Sequence, residues 1–302
     1  MAEQGRYIIT SYKALGTEWT IEVFDTVTAE EAQKCASFVV DFLENFNLRY
    51  SRFRDDSLLN VLNYTKKIPY DDDLFKMLTF GENLRSISEG IFDLGIKKTL
   101  EAKGYGHTEG TASSVQDERT TELDRVSTDG VTIFSHTDAQ FDLGGIGKGY
   151  AIDAIVSHLR EKFHLSHFIV NGGGDLYVAT PDSLQETIYL EHPYHEGESI
   201  GTVLLENESL CVSSSFKRTW KHHGVTKNHF INPTDDQQLI VSASYVIADT
   251  TVLADTLATT LAVSAGSIEK VELLAKRCKV ECLVINEEGE MYATERFRHV
   301  LH

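Results

Sequence analysis

The chain has 302 residues, enough to bury a full core as one large domain or two lobes. Apolar residues make up 41% and charged residues 25%, the proportions of an ordinary globular protein. Lys plus Arg number 28 against 46 Asp plus Glu, and the formal charge of −18 argues against nonspecific binding to nucleic acid or to an anionic membrane.

In chain order, residues 7–14 and 17–24 read as a hairpin about Leu15-Gly16, with no charged-then-apolar leader before them and no bilayer-length apolar run anywhere. The expectation is a cytoplasmic protein without a membrane anchor. Thr28 and Glu31 form a capping box, and Cys35, Phe38, Val39, Phe42 and Phe46 stripe the helix that follows. Asp56 is expected to cap a short helix through Asn60, and a further helix is expected over 73–88, ending at Gly90. Between 104 and 122 the apolar content collapses, which predicts a flexible loop within one domain. Strands are predicted at 131–135, on both sides of Asn171-Gly-Gly-Gly-Asp175, and at 187–191, 202–206 and 245–248. Helices are predicted over 251–264 and 267–277, and a last strand over 281–286. Strands and helices mix without steady alternation, so the fold class is α+β, mixed sheets with packed helices. Cys278 and Cys282 have no second Cys or His pair to complete a zinc set, so the four cysteines read as reduced structural thiols.

Chemistry concentrates in Phe141-Asp-Leu-Gly-Gly-Ile-Gly-Lys-Gly-Tyr-Ala-Ile-Asp153. It offers an acid at Asp142, glycines that admit close approach, one cation at Lys148, and a helix pattern from Ile146 onward. A glycine turn opening a helix suits a phosphate. The stretch matches neither the nucleotide loop, which needs a hydroxyl residue where Gly149 stands, nor the dinucleotide fingerprint, which fails at Ile152. Glycines serving only close packing explain it as well. Asp255 and Thr259, four apart on a helix, stack a carboxylate above a hydroxyl, oxygen ligands of the kind Mg²⁺ prefers. The alternative there is an acid favourable to the helix dipole and a Thr bonded to the preceding turn. The Asn171–Asp175 glycines, Gly173 at their centre, either admit a ligand against the backbone or make a plain hairpin turn. His229 opens His-Phe-Ile-Asn-Pro233, while His192, His195, His222 and His223 read as solvated. Ser213-Ser-Ser215 with Lys217-Arg218 forms either a phosphate cradle or a polar turn, and no G-x-S-x-G elbow is present.

Seven blocks in order resemble the FAD:protein FMN transferases, the ApbE family once labelled thiamine biosynthesis lipoproteins. They are Ala14-Leu-Gly-Thr17, Ser51-Arg-Phe-Arg-Asp-Asp-Ser-Leu-Leu-Asn60, Gly90-Ile-Phe-Asp93, the stretch from Asp142 to Asp153, Asn171-Gly-Gly-Gly-Asp175, His229-Phe-Ile-Asn-Pro233 and Ala254-Asp-Thr-Leu-Ala-Thr259. The resemblance implies a single two-lobed domain in which Asp142 and Lys148 touch FAD, with Leu15, Phe53 and the turn Ile91, Phe92, Asp93 around the flavin and Gly173 beside the ligand. It implies Mg²⁺ held by Asp255, Thr259 and the backbone carbonyl of Gly145, and His229 helping an acceptor hydroxyl react. The family often has Met at position 15 and an aromatic hydroxyl at 53; where some members add a second acid to the metal site, this chain has Ala258.

The implied reaction passes FMN from FAD to a Ser or Thr hydroxyl of an acceptor flavoprotein, with AMP leaving. It needs charge neutralisation, in-line positioning and a base. Two other readings fit the same residues. One is a Mg²⁺-dependent FAD pyrophosphatase giving FMN and AMP; the other is a noncatalytic FAD-binding protein.

Overall fold

A computed structural model describes residues 7–102, 125–195, 197–214, 219–222, 225–228, 241–264, 267–286 and 289–299. Its centre is an eight-stranded sheet in the order Tyr7–Ala14, Thr17–Val23, Phe168–Gly172, Asp175–Ala179, Glu208–Ser214, Val241–Ala248, Glu281–Asn286 and Met291–Ala293. Every neighbouring pair runs antiparallel, so the chain is α+β and not doubly wound. The period of two splits each central strand between two cores. Val170, Tyr177, Val246 and Val284 face the helices Ala29–Tyr50, Gly147–Phe163, Thr251–Ser264 and Ile268–Cys278. Ile169, Val178, Tyr245 and Leu283 face the hairpin Glu186–Glu191/Ser199–Leu205. Because both faces are covered, Asp175–Ala179 is buried at every position and carries no alternation to read.

The hairpin turns at Leu15 and Gly16, with φ of 50° and 75°. Thr28 and Glu31 form the expected capping box on Ala29–Tyr50. The short helix differs from expectation: it runs Leu58–Thr65 and its cap is Ser57, whose hydroxyl accepts the Asn60 N–H at 3.1 Å. Asp56 is bound by Arg54 at 2.9 Å instead, outside the helix. The elements at Lys67–Pro69, Val126–Thr128, Lys97–Ala102 and Met291–Ala293 have no counterpart in the sequence reading. They are three to six residues long and depend on pairing or packing, which periodicity does not reveal. His222, expected in polar loop, ends the strand Thr219–His222. The expected loop at 104–122 lies outside the described residues. All four cysteines are free thiols. Among the described residues no helix is long and apolar enough to cross a membrane.

Two contacts bring the glycine-rich helix against the helix that carries Asp255. Asp153, the last residue of the motif, accepts the N–H groups of Thr251 at 2.7 Å and Val252 at 2.9 Å, filling the N-terminal end of Thr251–Ser264. Gly149 lies where the helices touch: a Cβ there would stand 2.6 Å from the Thr251 carbonyl oxygen and 2.8 Å from Val252 Cα. Both obstacles are backbone and cannot rotate away. Gly149→Ala is therefore expected to cost about 1–3 kcal/mol, the usual cost of overpacking, read as a lowered urea midpoint. An unchanged midpoint would show that the crossing is not tight.

Candidate active site

Two adjoining cavities open beside the glycine-rich turn. One, of about 150 Å³, lies among the 91–100 segment, the turn, the end of strand Glu208–Ser214 and helix Thr251–Ser264. The other, of about 440 Å³, lies among the Leu15-Gly16 turn, the end of helix Ala29–Tyr50 and residues 51–53. Asp142, Gly144 and Lys148 line both. Leu15 and Phe53 line the second; Ile91, Phe92, Asp93, Gly145, Gly173, Asp255 and Thr259 line the first. The fold thus gathers eleven expected residues from across the sequence around one cleft. His229 lies outside the described residues, as do 215, 217 and 218.

The turn itself is less open to a phosphate than its glycines imply. The Gly144 N–H is donated to Asp142 Oδ1 at 2.6 Å, those of Ile146 and Gly147 to the Leu143 carbonyl, and that of Gly149 to Asp255 Oδ2 at 2.9 Å. Cations, more than amides, provide the positive character here. Lys148, in the first turn of its helix, places Nζ 2.6 Å from Asp175 Oδ2 and 3.0 Å from Asp255 Oδ1. Burial alone would pull its pKa down, but the two carboxylates hold it well above the ordinary lysine value. Burial drives Asp255 the other way, above the usual carboxylate range, with Asp175 adding to the rise and Lys148 opposing it. Two carboxylates against one ammonium leave this buried cluster one positive charge short.

That deficit bears on a metal. Beside the Lys148 ammonium, the oxygens that could hold a hard cation are those of Asp255, the Thr259 and Ser213 hydroxyls 3.2 Å apart, and the Gly145 carbonyl, which precedes the helix Gly147–Phe163. A donor set of this kind with excess negative charge fits Mg²⁺. Asp175, the second partner of Lys148, was not among the expected site residues, and Ser213 was weighed only as part of a phosphate cradle; an acid opening the buried run Asp-Leu-Tyr-Val-Ala was the available signal for the first.

Arg52 was also missed. Its Nη1 lies 2.7 Å from Asp142 Oδ2, both side chains at least nine-tenths buried. Its guanidinium lies over the Phe53 ring at 4.5 Å, while Phe53 itself is 70% exposed at the cavity edge. Asn60 fixes this corner by donating to the Arg52 carbonyl at 2.7 Å and the Arg54 carbonyl at 2.9 Å. Asp142 thus holds Arg52 and the turn in place, whatever else it touches. Asp93 lines the cavity with its carboxylate bound by the buried Arg125 at 2.5 Å and by the Gly95 N–H at 2.6 Å. The Phe92 ring lies against Gly145, where a Cβ would be 3.2 Å away.

Residues 15–284 match the model of the ApbE family. A Rhodobacter capsulatus protein named FAD:protein FMN transferase is 26% identical over 254 residues, 80% of this chain and 48% of that protein, so the chain spans about half the length of that relative. A Treponema pallidum (strain Nichols) protein of the same name is 24% identical over 244 residues, 72% of this chain and 67% of its own length. Among solved structures, the ApbE protein of Thermotoga maritima aligns with a TM-score of 0.85 at 21% identity, covering 99% of this chain and 100% of that one. Flavin transferase ApbE from Vibrio cholerae aligns at 0.79 and 18% identity, covering 98% and 99%. These two likenesses speak to the fold. The family match runs from the hairpin turn at Leu15 into the strand Glu281–Asn286 and takes in both cavities, and the chain belongs to the ApbE family.

Proposed function

We propose that this protein transfers FMN from FAD to a Ser or Thr hydroxyl of an acceptor protein, with Mg²⁺ and with release of AMP. The observation that carries the reading is Lys148 between Asp175 and Asp255 at the junction of two cavities. A dinucleotide has two ring systems joined by a pyrophosphate, and a two-chambered cleft with its charged groups at the waist suits that shape. The names of the curated relatives point to the same substrate. The four free thiols fit action in the cytoplasm.

In this reaction the acceptor hydroxyl oxygen bonds to the FMN-side phosphorus, and the bond from that phosphorus to the bridging oxygen breaks. AMP leaves with the bridging oxygen, and the hydroxyl proton passes to a base, the role assigned to His229. Asp255, Thr259 and the Gly145 carbonyl would hold the Mg²⁺, which when bound neutralises charge on phosphate oxygens. Lys148 adds a second positive charge where both cavities can reach it. Phe53 and Leu15 offer an apolar edge to a ring in one cavity, and the Phe92 ring, packed on Gly145, offers an apolar wall in the other. The deep burial of the charged cluster keeps bulk water from screening it.

Incubation with FAD, Mg²⁺ and candidate acceptor proteins, followed by intact mass measurement, tests the proposal. The acceptor should gain one FMN phosphoester for each AMP released. AMP released at full rate with no acceptor present would make the protein a pyrophosphatase. FAD bound with neither product formed would make it a binding protein.

A further inference from the structure

Asp175 opens its strand directly after Gly173 and Gly174, whose φ of 75° and 100° turn the chain back on itself. Its two oxygens have separate tasks. Oδ1 accepts the Val212 N–H at 3.1 Å, which anchors the carboxylate to the neighbouring strand, and Oδ2 lies 2.6 Å from Lys148 Nζ. Asp255 divides its oxygens differently, Oδ2 to the Gly149 N–H and Oδ1 to Lys148 at the longer distance of 3.0 Å. Lys148 is therefore shared by two carboxylates, one of which is the expected ligand of a divalent cation.

A divalent ion on Asp255 and an ammonium on the same carboxylate oppose each other as like charges at close range. A second carboxylate beside the ammonium offsets that repulsion. We propose that Asp175 is a positioning residue that gives the Lys148 ammonium a carboxylate of its own, so that a divalent cation on Asp255 and Lys148 occupy the cleft together. This rests on the metal reading of Asp255 given above. It assigns Asp175 no contact with the metal: its effect on the ion passes through Lys148.

The test is Mn²⁺ binding without FAD, followed by the electron paramagnetic resonance of the free ion, with circular dichroism as a check on the fold. Asp175→Asn keeps an oxygen for the Val212 N–H and removes the charge; Lys148 then has only Asp255, and Mn²⁺ affinity should fall by about tenfold, within the range of couplings between contacting charged groups. Lys148→Met added to Asp175→Asn should restore affinity to within about threefold of the starting protein, because the competitor is gone. Lys148→Met alone should bind Mn²⁺ at least as tightly as the unaltered protein, which keeps the proposal testable if Asp175→Asn does not fold. Unchanged affinity in Asp175→Asn overturns the proposal. So does a double variant as weak as Asp175→Asn, which would make Asp175 a direct ligand, and so does weakened binding in Lys148→Met alone. Asp255→Asn separates the two levels: if it binds Mn²⁺ normally the metal reading itself fails, whereas loss of binding there with Asp175→Asn unaffected removes only the positioning role.

Discussion

Asp255→Asn is expected to lower FAD-dependent AMP release by on the order of a hundredfold to a thousandfold, the cost of removing one preorganised electrostatic group from a water-poor site. Asn keeps an oxygen for the Gly149 N–H now bound at 2.9 Å, so the crossing of the two helices should survive and circular dichroism should not change. What disappears is the charge. The site loses the carboxylate fixed between the glycine-rich turn and Thr259, and Lys148 passes wholly to Asp175. Thr259→Val should cost far less, because its hydroxyl is a neutral donor that water can replace and the Ser213 hydroxyl remains nearby. The order of the two variants is the informative result. Full activity in Asp255→Asn, with Mg²⁺ chelated, would remove the metal from the proposed reaction. Equal losses in both variants would mean that local packing, not charge, is being measured.

The parts of this site legible in the sequence are those that depend on short-range pattern. The capping box at Thr28, the hairpin turn at Leu15-Gly16 and the helix opening at Gly147 each follow from residues within a few positions of one another. The ordered blocks located eleven residues that the fold brings to one cleft, although residues 53 and 255 come from opposite ends of the chain. What the sequence hid is pairing. Arg52 meets Asp142 across 90 positions, and Lys148 meets Asp255 across 107; no periodicity reports either. Asp175 reads as the end of a glycine turn until strand register sets it beside Val212 and points its second oxygen at Lys148. The glycines misled in a specific way. Their spacing suggests amides free for a phosphate, yet the amides of Gly144, Ile146, Gly147 and Gly149 are bonded within the protein, and Gly149 is required by helix contact. Packing and ligand access ask for the same residue there, so sequence alone could not divide them.

His229→Ala is expected to leave FAD affinity nearly unchanged and to lower the rate of FMN transfer by roughly a hundredfold to ten-thousandfold, the usual contribution of a general base. The residue follows directly on the strand Val225–Asn228 and lies outside the described residues, so the expectation rests on its place in the family block and on the chemistry. Binding should be insensitive, because the contacts proposed for FAD come from the two cavities, whose described linings draw on other elements. Transfer should be sensitive, because a Ser or Thr hydroxyl is a poor nucleophile until a nearby group takes its proton, and an imidazole titrates in the right range. FAD titration and single-turnover transfer to an acceptor, measured side by side on both proteins, separate the two quantities. A parallel loss of affinity would make His229 a binding residue. Unchanged transfer would pass the proton to another group, and the carboxylates that line the cleft, Asp93, Asp142, Asp175 and Asp255, are the ones to examine. The unaltered protein gives the remaining discrimination: with FAD and Mg²⁺ but no acceptor, AMP should appear only slowly, as expected of a transferase that acts on an acceptor hydroxyl and not on water. Rapid release without acceptor, suppressed by His229→Ala, would mean that the same base serves water, and hydrolysis would replace transfer as the main activity.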